Sequence, residues 1–314
     1  MTAVMVHFSV PDRNPFFLFG QASLLLFLVL YRFPKKYMTD REQKVILYIF
    51  TFHDPLNGLR PITATMEISL SASGTRNSSA GKQHEMSTLM LLLVSRMLLF
   101  LLFQAIVALI LRSWSSSEGY WLLTATLTNI VSISLLVVLF RKERESYLGL
   151  FRFRRDTLKK DILIFLGLTL LCGPVVFGPN YLLSDWLWSD PEIPFRMMFR
   201  PIDRWLAIML AATFPVTIAF AELATYFGYI MPRLKSGLRS GWPVVLLPVL
   251  FLSLQHITMP FIPDLTFILY RAVVFLPFAL LIGIAIYRRP SLFPYFAILH
   301  GIMDLGTAIM FLTV

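Results

Sequence analysis

Long hydrophobic runs separated by short polar segments dominate the chain. Eight of them approach or exceed the length that a helix needs to cross a bilayer, which is about 20 residues. They lie at residues 15–32, 88–111, 120–140, 162–184, 205–230, 242–259, 266–287 and 291–313. The pattern predicts an all-α, polytopic transmembrane helical bundle of about seven to eight spans, with no separate soluble domain of ordinary size.

The charged residues lie mainly between these runs. The chain has 28 Lys and Arg against 18 Asp and Glu, a formal charge of +10. The basic clusters lie at Arg141 to Asp161, at Arg233 to Arg239, and at Arg288 with Arg289. The positive-inside rule makes these segments cytoplasmic and puts the loops near 112–119, 185–204 and 260–265 outside. We therefore expect a multi-pass protein of the cell membrane, in contact with lipid and without a nucleic-acid partner.

The first 87 residues differ from the rest. The run at 15–32 is barely long enough to span, and the stretch from Ser69 to Gln83 is rich in Ser, Thr and Gly, which predicts a flexible linker. The sequence from Met86 onward is typical of the start of a membrane protein. Either residues 1–87 form a membrane anchor and tether, or residues 1–85 are an addition without a functional role. Residues 88–314 form the functional domain in both interpretations.

Ionisable side chains inside apolar helices are energetically costly and therefore mark candidate functional sites. Beyond the N-terminal segment the histidines are His256 and His300, both inside hydrophobic runs, and only Glu222 and Asp304 among the acids fall clearly within runs. His300 and Asp304 are four residues apart and share a helix face. At a rise of 1.5 Å per residue, Glu222, His300 and His256 lie roughly 12, 14 and 21 Å from the cytoplasmic ends of their helices. We expect these groups to form one polar site between helices.

Two arginines also fall within the runs, and we expect both to be structural. Arg96 lies near the inner end of its helix, where its side chain can extend to the interface. Arg271 follows Asp264 by seven residues on the same helix face, so the two are expected to pair near the outer surface.

Three kinds of chemistry suit the polar residues. Glu222 can act as a general base on water together with His256, while His300 and Asp304 stabilise an oxyanion. Asp304 donates a hydrogen bond only if protonated; otherwise it can only orient His300. Alternatively, Glu222, His256 and His300 can bind a divalent metal such as zinc, although no H-E-x-x-H motif is present and no cofactor is the favoured prediction. In a third interpretation the Glu/His/Asp set relays protons in a transporter.

At these residues the sequence resembles the CPBP intramembrane proteases, also called the CAAX prenyl protease 2-like or Abi family. The stretch "ELATYFGYIMPRL", which begins at Glu222, is similar to the motif E-E-x-x-x-R-G and its tail Y-L-L-P-R-L. The stretch "LSLQH", which ends at His256, is similar to F-x-x-x-H, and "HGIMD", from His300 to Asp304, is similar to H-x-x-x-N/D. The resemblance covers about residues 88–313. It departs from the family where Leu223 replaces the second Glu, Phe227 the Arg, and Leu252 the Phe.

The resemblance implies an intramembrane endopeptidase that hydrolyses peptide bonds of membrane-embedded or lipid-anchored substrates, in part of the family CAAX-type prenylated proteins. In that family the residues corresponding to Glu222 and His256 activate water, and those corresponding to His300 and Asp304 help bind the oxyanion. Losing the second Glu and the Arg together leaves no buried charge unpaired. The same loss motivates an alternative, a weak or inactive family member that acts in bacteriocin immunity or as a membrane scaffold.

Overall fold

The computed structural model describes residues 75–238 and 241–313, with side chains from Met86 onward. This part of the chain is helical and contains no strand. Its α-helices are α1 (Thr75–Leu111), α2 (Trp114–Glu118), α3 (Trp121–Lys142), α4 (Leu158–Trp188), α5 (Ile193–Met198), α6 (Arg204–Leu223), α7 (Met231–Gly237), α8 (Gly241–Leu254), α9 (Leu265–Val274), α10 (Leu276–Arg288) and α11 (Phe293–Met310). A π-helical segment (Ala224–Ile230) joins α6 to α7, and a 3-10 turn (Gln255–Thr258) follows α8.

Seven helical stretches between residues 75 and 313 are long and apolar enough to cross a membrane. They are Met86–Leu111, Trp121–Lys142, Leu158–Trp188, Arg204–Gly237, Gly241–Thr258, Leu265–Arg288 and Pro290–Met310. Each coincides with one of the hydrophobic runs after residue 87, which confirms the all-α polytopic bundle. The protein is a multi-pass integral membrane protein. The run at 15–32 and the rest of the segment before Thr75 lie outside the described residues.

The polar stretch from Ser69 to Gln83, which its composition predicts to be a flexible linker, lies within the described residues only from Thr75 onward. Because α1 begins at Thr75, the described part of this stretch is helical. Extending an existing helix requires no new nucleation, and Ser, Thr and Asn each disfavour the helix by no more than about 0.7 kcal/mol relative to Ala. The apolar segment after Met86 therefore explains why the helix extends into polar sequence.

The basic segments meet at one end of the bundle. Arg233 of α7 pairs with Glu143, the residue after α3, and Arg289, just after α10, pairs with Asp161 in the first turn of α4. Lys235 lies over the ring of Tyr287, with its Nζ 4.7 Å from the ring centroid. The prediction from charge that these three segments lie on the same side of the bundle is therefore correct. We call this end of the bundle the basic end.

The remaining loops meet at the opposite end. Arg200 donates to Glu118 Oε2 over 2.7 Å, which joins the segment before α6 to α2. The Gln104 side chain donates to the carbonyl oxygen of Phe261 over 2.9 Å, which joins α1 to the loop before α9. The two sets of loops that the charge pattern predicted are thus separated by the length of the bundle.

An apolar cluster fills the core around the π-helical segment. Leu223 and Phe227 are each 1% exposed and belong to this cluster. A Cβ atom at Gly283 of α10 would lie 3.2 Å from the Phe227 ring, so the glycine leaves room for that ring. Both departures from the first of the three motifs are therefore filled by packed apolar side chains.

The ion pair at the basic end predicts a pH-dependent stability. Burial raises the pKa of Glu143, but hydrogen bonds from Arg233 and Tyr229 and the charge of Arg233 outweigh burial and hold the pKa below its ordinary value. The stabilisation is therefore present above the ordinary glutamate pKa of about 4.3 and is lost as the pH falls through the lower folded value. We expect Glu143→Gln to lower the thermal unfolding temperature at pH 7 and to match the wild type well below pH 4.

The neighbouring acid provides the control. Glu145 is more exposed than Glu143 and lies 3.4 Å from the same arginine, so Glu145→Gln should change the unfolding temperature little at either pH. A Glu143→Gln deficit that stays constant down to pH 3 would contradict this electrostatic origin.

Candidate active site

Glu222 lies in the last turn of α6 and is 1% exposed. The helix changes from α to π geometry two residues later, at Ala224. Such π-helical segments insert extra backbone into a helix and are frequent at functional sites. Glu222 is therefore a buried carboxylate on a membrane-spanning helix, next to an irregular segment of backbone.

His300 and Asp304 of α11 reach this carboxylate. His300 Nε2 lies 3.0 Å from Glu222 Oε1 and 3.4 Å from Asp304 Oδ2. None of these three atoms makes an aligned hydrogen bond to a described residue, so the contacts are mainly electrostatic. One ring nitrogen thus lies between two carboxylates, and the sequence prediction that these three residues meet agrees with the geometry.

Gly301 allows α11 to come close to α6. A Cβ atom at this position would lie 2.9 Å from the Pro215 carbonyl oxygen and 3.0 Å from the Ala219 Cβ. A contact below 3.0 Å with rigid backbone cannot form without movement of a helix. The glycine beside His300 therefore sets the interhelical distance that brings His300 to Glu222.

His256 lies in the 3-10 turn after α8 and is held by its own backbone. Its Nδ1 lies 2.9 Å from the Leu252 carbonyl oxygen, and since a carbonyl only accepts, Nδ1 carries the proton. The ring stacks on Phe275 with centroids 4.0 Å apart. In the neutral ring, Nε2 is left as an acceptor. None of the ion pairs of Glu222 within 4.0 Å involves His256, so His256 lies near the carboxylate's helix without touching the carboxylate itself.

Arg96 is not at the interface, so the prediction that it extends there is wrong. Its side chain is fully buried, and Nη2 lies 3.8 Å from Glu222 Oε2. Nε donates to Gln255 Oε1 over 2.8 Å, and the two terminal nitrogens donate to Ser132 and Asn129. These buried acceptors lie at the depth of Arg96, so the guanidinium is satisfied there and need not reach water.

Arg271 does not pair with Asp264, which corrects the second prediction about the arginines. Asp264 accepts from the Phe267 N–H over 2.7 Å and so caps the start of α9. Arg271 instead donates to the carbonyl oxygens of His256, over 3.0 Å, and Met259, over 2.6 Å. The short side chain of Asp264 is engaged locally, which leaves Arg271 to hold the backbone of the 3-10 turn that carries His256.

The described side chains do not form a ready set of ligands for the alternative of a zinc site. Among the residues with described side chains, no three of His, Cys, Asp and Glu are arranged to hold one metal ion. His256 offers Nε2 in a suitable tautomer, but His300 Nε2 is directed between Glu222 and Asp304.

Sequence reasoning missed the neutral residues around the charges. Asn129 and Ser132 of α3 and Gln255 beside His256 accept hydrogen bonds from Arg96. The signal available in the sequence was Asn129 and Gln255, two amide side chains inside hydrophobic runs. Amides in membrane helices are candidate partners for a buried charge.

The close packing at Gly301 predicts that a substitution there lowers the stability of the protein, and Gly306 provides the control. We expect Gly301→Ala to destabilise the protein by about 1–3 kcal/mol, the usual cost of overpacking, and to separate His300 from Glu222. A Cβ atom at Gly306, on the same helix, would have no neighbour within 4 Å, so Gly306→Ala should be neutral or stabilising by up to about 1 kcal/mol. Thermal unfolding of the purified protein in detergent measures both changes. Equal effects of the two substitutions would contradict the close approach at Gly301.

Comparisons with known proteins assign no family to this arrangement. No family model matches the chain, and neither the curated proteins nor the solved structures contain a significant match. Membership of the CPBP family therefore stays a prediction from the three motifs and from the side chains that carry them, Glu222, His256, His300 and Asp304.

Proposed function

We propose that the protein is an intramembrane endopeptidase of the CPBP type, which hydrolyses peptide bonds of membrane-embedded or lipid-anchored proteins. The observation that carries this proposal is the contact of 3.0 Å between Glu222 Oε1 and His300 Nε2, which joins two of the three motifs inside the bundle. An enclosed carboxylate with imidazole neighbours is suited to acid–base chemistry, because electrostatic interactions are strong in a medium of low dielectric constant.

Glu222 is the base in this mechanism. Its carboxylate takes a proton from a water molecule while the water oxygen attacks the peptide carbonyl carbon, and the same proton later passes to the leaving amine. His256 assists at this step, because its Nε2 can accept a hydrogen bond from the water while Nδ1 donates to Leu252. The protein thereby supplies both groups that the family resemblance assigns to water activation.

His300 and Asp304 act on the negative charge that develops on the carbonyl oxygen. A ring proton on His300 can stabilise an oxyanion next to Glu222. Asp304 Oδ2 lies 3.4 Å from His300 Nε2, so its negative charge favours the ring orientation in which this nitrogen faces Glu222. In this geometry Asp304 is better placed to orient the imidazole than to donate to the oxyanion itself.

A proton-coupled transporter is the second candidate, favoured by one specific observation. Asp304, His300 and Glu222 form a continuous chain in which one imidazole nitrogen contacts both carboxylates. Such chains relay protons in membrane pumps and transporters. Proton flux into proteoliposomes that depends on Glu222, without cleavage of any protein, would favour this function over the first.

The peptidase proposal predicts that Glu222→Gln abolishes cleavage. Membranes depleted of the endogenous protein are incubated with the purified wild type or the variant, and new protein termini are identified by mass spectrometry. The wild type should generate new termini, while Glu222→Gln should reduce the rate by at least about 100-fold, because a general base contributes a factor of that order or more.

The control is a second buried acid outside the site. Glu118 is 4% exposed and pairs with Arg200 at the opposite end of the bundle, so Glu118→Gln should retain the cleavage rate of the wild type. Absence of new termini with the wild type, or equal cleavage by folded Glu222→Gln, would contradict the proposal.

A further inference from the structure

We propose that Arg96 is a positioning residue that fixes Glu222 in place through its charge. The catalytic importance of this positioning rests on the proposed function, but the contact between Arg96 and Glu222 does not depend on any reaction. Arg96 is fully buried in α1, and Nη2 lies 3.8 Å from Glu222 Oε2. The other oxygen of that carboxylate faces His300. Glu222 is thus held between two basic groups, one facing each carboxylate oxygen. Arg96 comes from α1, and His300 comes from α11.

The partners of Arg96 form a socket that accepts a cation. Ser132 donates its own proton to the Thr128 carbonyl oxygen over 2.7 Å, which leaves a lone pair for Arg96. Asn129 donates its amide to Thr217 over 3.2 Å, which turns its carbonyl oxygen towards the guanidinium. Ser132 and Asn129 are therefore each oriented by a second hydrogen bond, and the socket favours a group that only donates, as Arg does.

None of these hydrogen-bond acceptors can neutralise Arg96. Gln255, Asn129 and Ser132 are uncharged, and Glu222 is the acidic group that lies within 4.0 Å of the guanidinium among the described residues. A buried charge without an opposite charge is strongly destabilising. The socket therefore fixes where the cation lies, and Glu222 provides the compensating charge.

The same guanidinium connects Glu222 to the turn that carries His256. Arg96 Nε donates to Gln255 Oε1 over 2.8 Å, and Gln255 directly precedes His256. Tyr226, one turn after Glu222, places its hydroxyl 3.4 Å from the same Gln255 oxygen. Arg96 thus sets the position of Glu222 relative to the turn that carries His256. Arg96 itself lies outside the sequence motifs that contain Glu222 and His256.

A double-mutant cycle tests the inference without a substrate. Thermal unfolding in detergent is measured for the wild type, Arg96→Met, Glu222→Gln and the double variant. We expect Arg96→Met to lower the unfolding temperature much less in the Glu222→Gln background, since the unpaired carboxylate is then already absent. Equal losses in both backgrounds would overturn the inference, because an arginine that only fills the socket would not be coupled to Glu222. If Arg96→Met does not fold, Arg96→Gln gives the same cycle with a smaller disruption.

Arg233→Met is the matched control. It removes a partly buried arginine whose acidic partners, Glu143 and Glu145, lie at the basic end. Its effect on the unfolding temperature should be the same with and without Glu222→Gln. Coupling as large as that of Arg96 would show that the cycle reports general destabilisation, which would also overturn the inference.

Cleavage kinetics separate this inference from the proposed function. Arg96→Met should lower kcat by a factor on the order of 100, with KM unchanged, because displacing a catalytic group by about 1 Å has an effect of that size. Arg96→Lys keeps the charge and should recover part of kcat, although its ammonium cannot serve three acceptors as a planar guanidinium does. A wild-type protein that cleaves nothing would contradict the peptidase proposal while the thermal cycle still decides the role of Arg96. Unchanged kcat in Arg96→Met would overturn the positioning role alone.

Discussion

The burial of one carboxylate constrains the architecture around it. Glu222 lies on a membrane-spanning helix and is almost completely buried. An unpaired charge at such a position would be far more costly than at a surface. Three other helices supply what it needs: α11 brings His300 to one oxygen, α1 brings Arg96 near the other, and α3 holds Arg96 in place. The close approach at Gly301 is the steric counterpart of this electrostatic requirement.

The amino-acid pattern predicts the spans and part of the site for a simple reason. Hydrophobic runs must match the bilayer thickness, so their positions follow from length and composition, and an i, i+4 pair such as His300 and Asp304 shares a face in any helix. The environment of Arg96 does not follow in this way. A long side chain can extend to the interface or fold inward, and the choice depends on Gln255 and on the amide and hydroxyl of α3, which are distant in sequence.

The departures from the family motif also have a physical consequence. Leu223 and Phe227 pack into an apolar cluster, and the space beside Gly283 accommodates the aromatic ring. The substitution of two polar positions by apolar ones therefore leaves no charge unpaired at those positions. The positive charge near Glu222 comes instead from Arg96 on α1, and the proposed peptidase mechanism depends on that arrangement together with His256 and His300.

Solid-state ¹⁵N NMR of histidine-labelled protein in bilayers tests most directly whether Glu222 and His300 form the centre of the site. The Nε2 resonance of His300, assigned with a His300→Gln sample, reports on the group opposite that nitrogen. A contact of 3.0 Å predicts a clear shift of this resonance in Glu222→Gln and none in Glu118→Gln. A His300 resonance that is the same in the wild type and Glu222→Gln would contradict the contact and the site built on it.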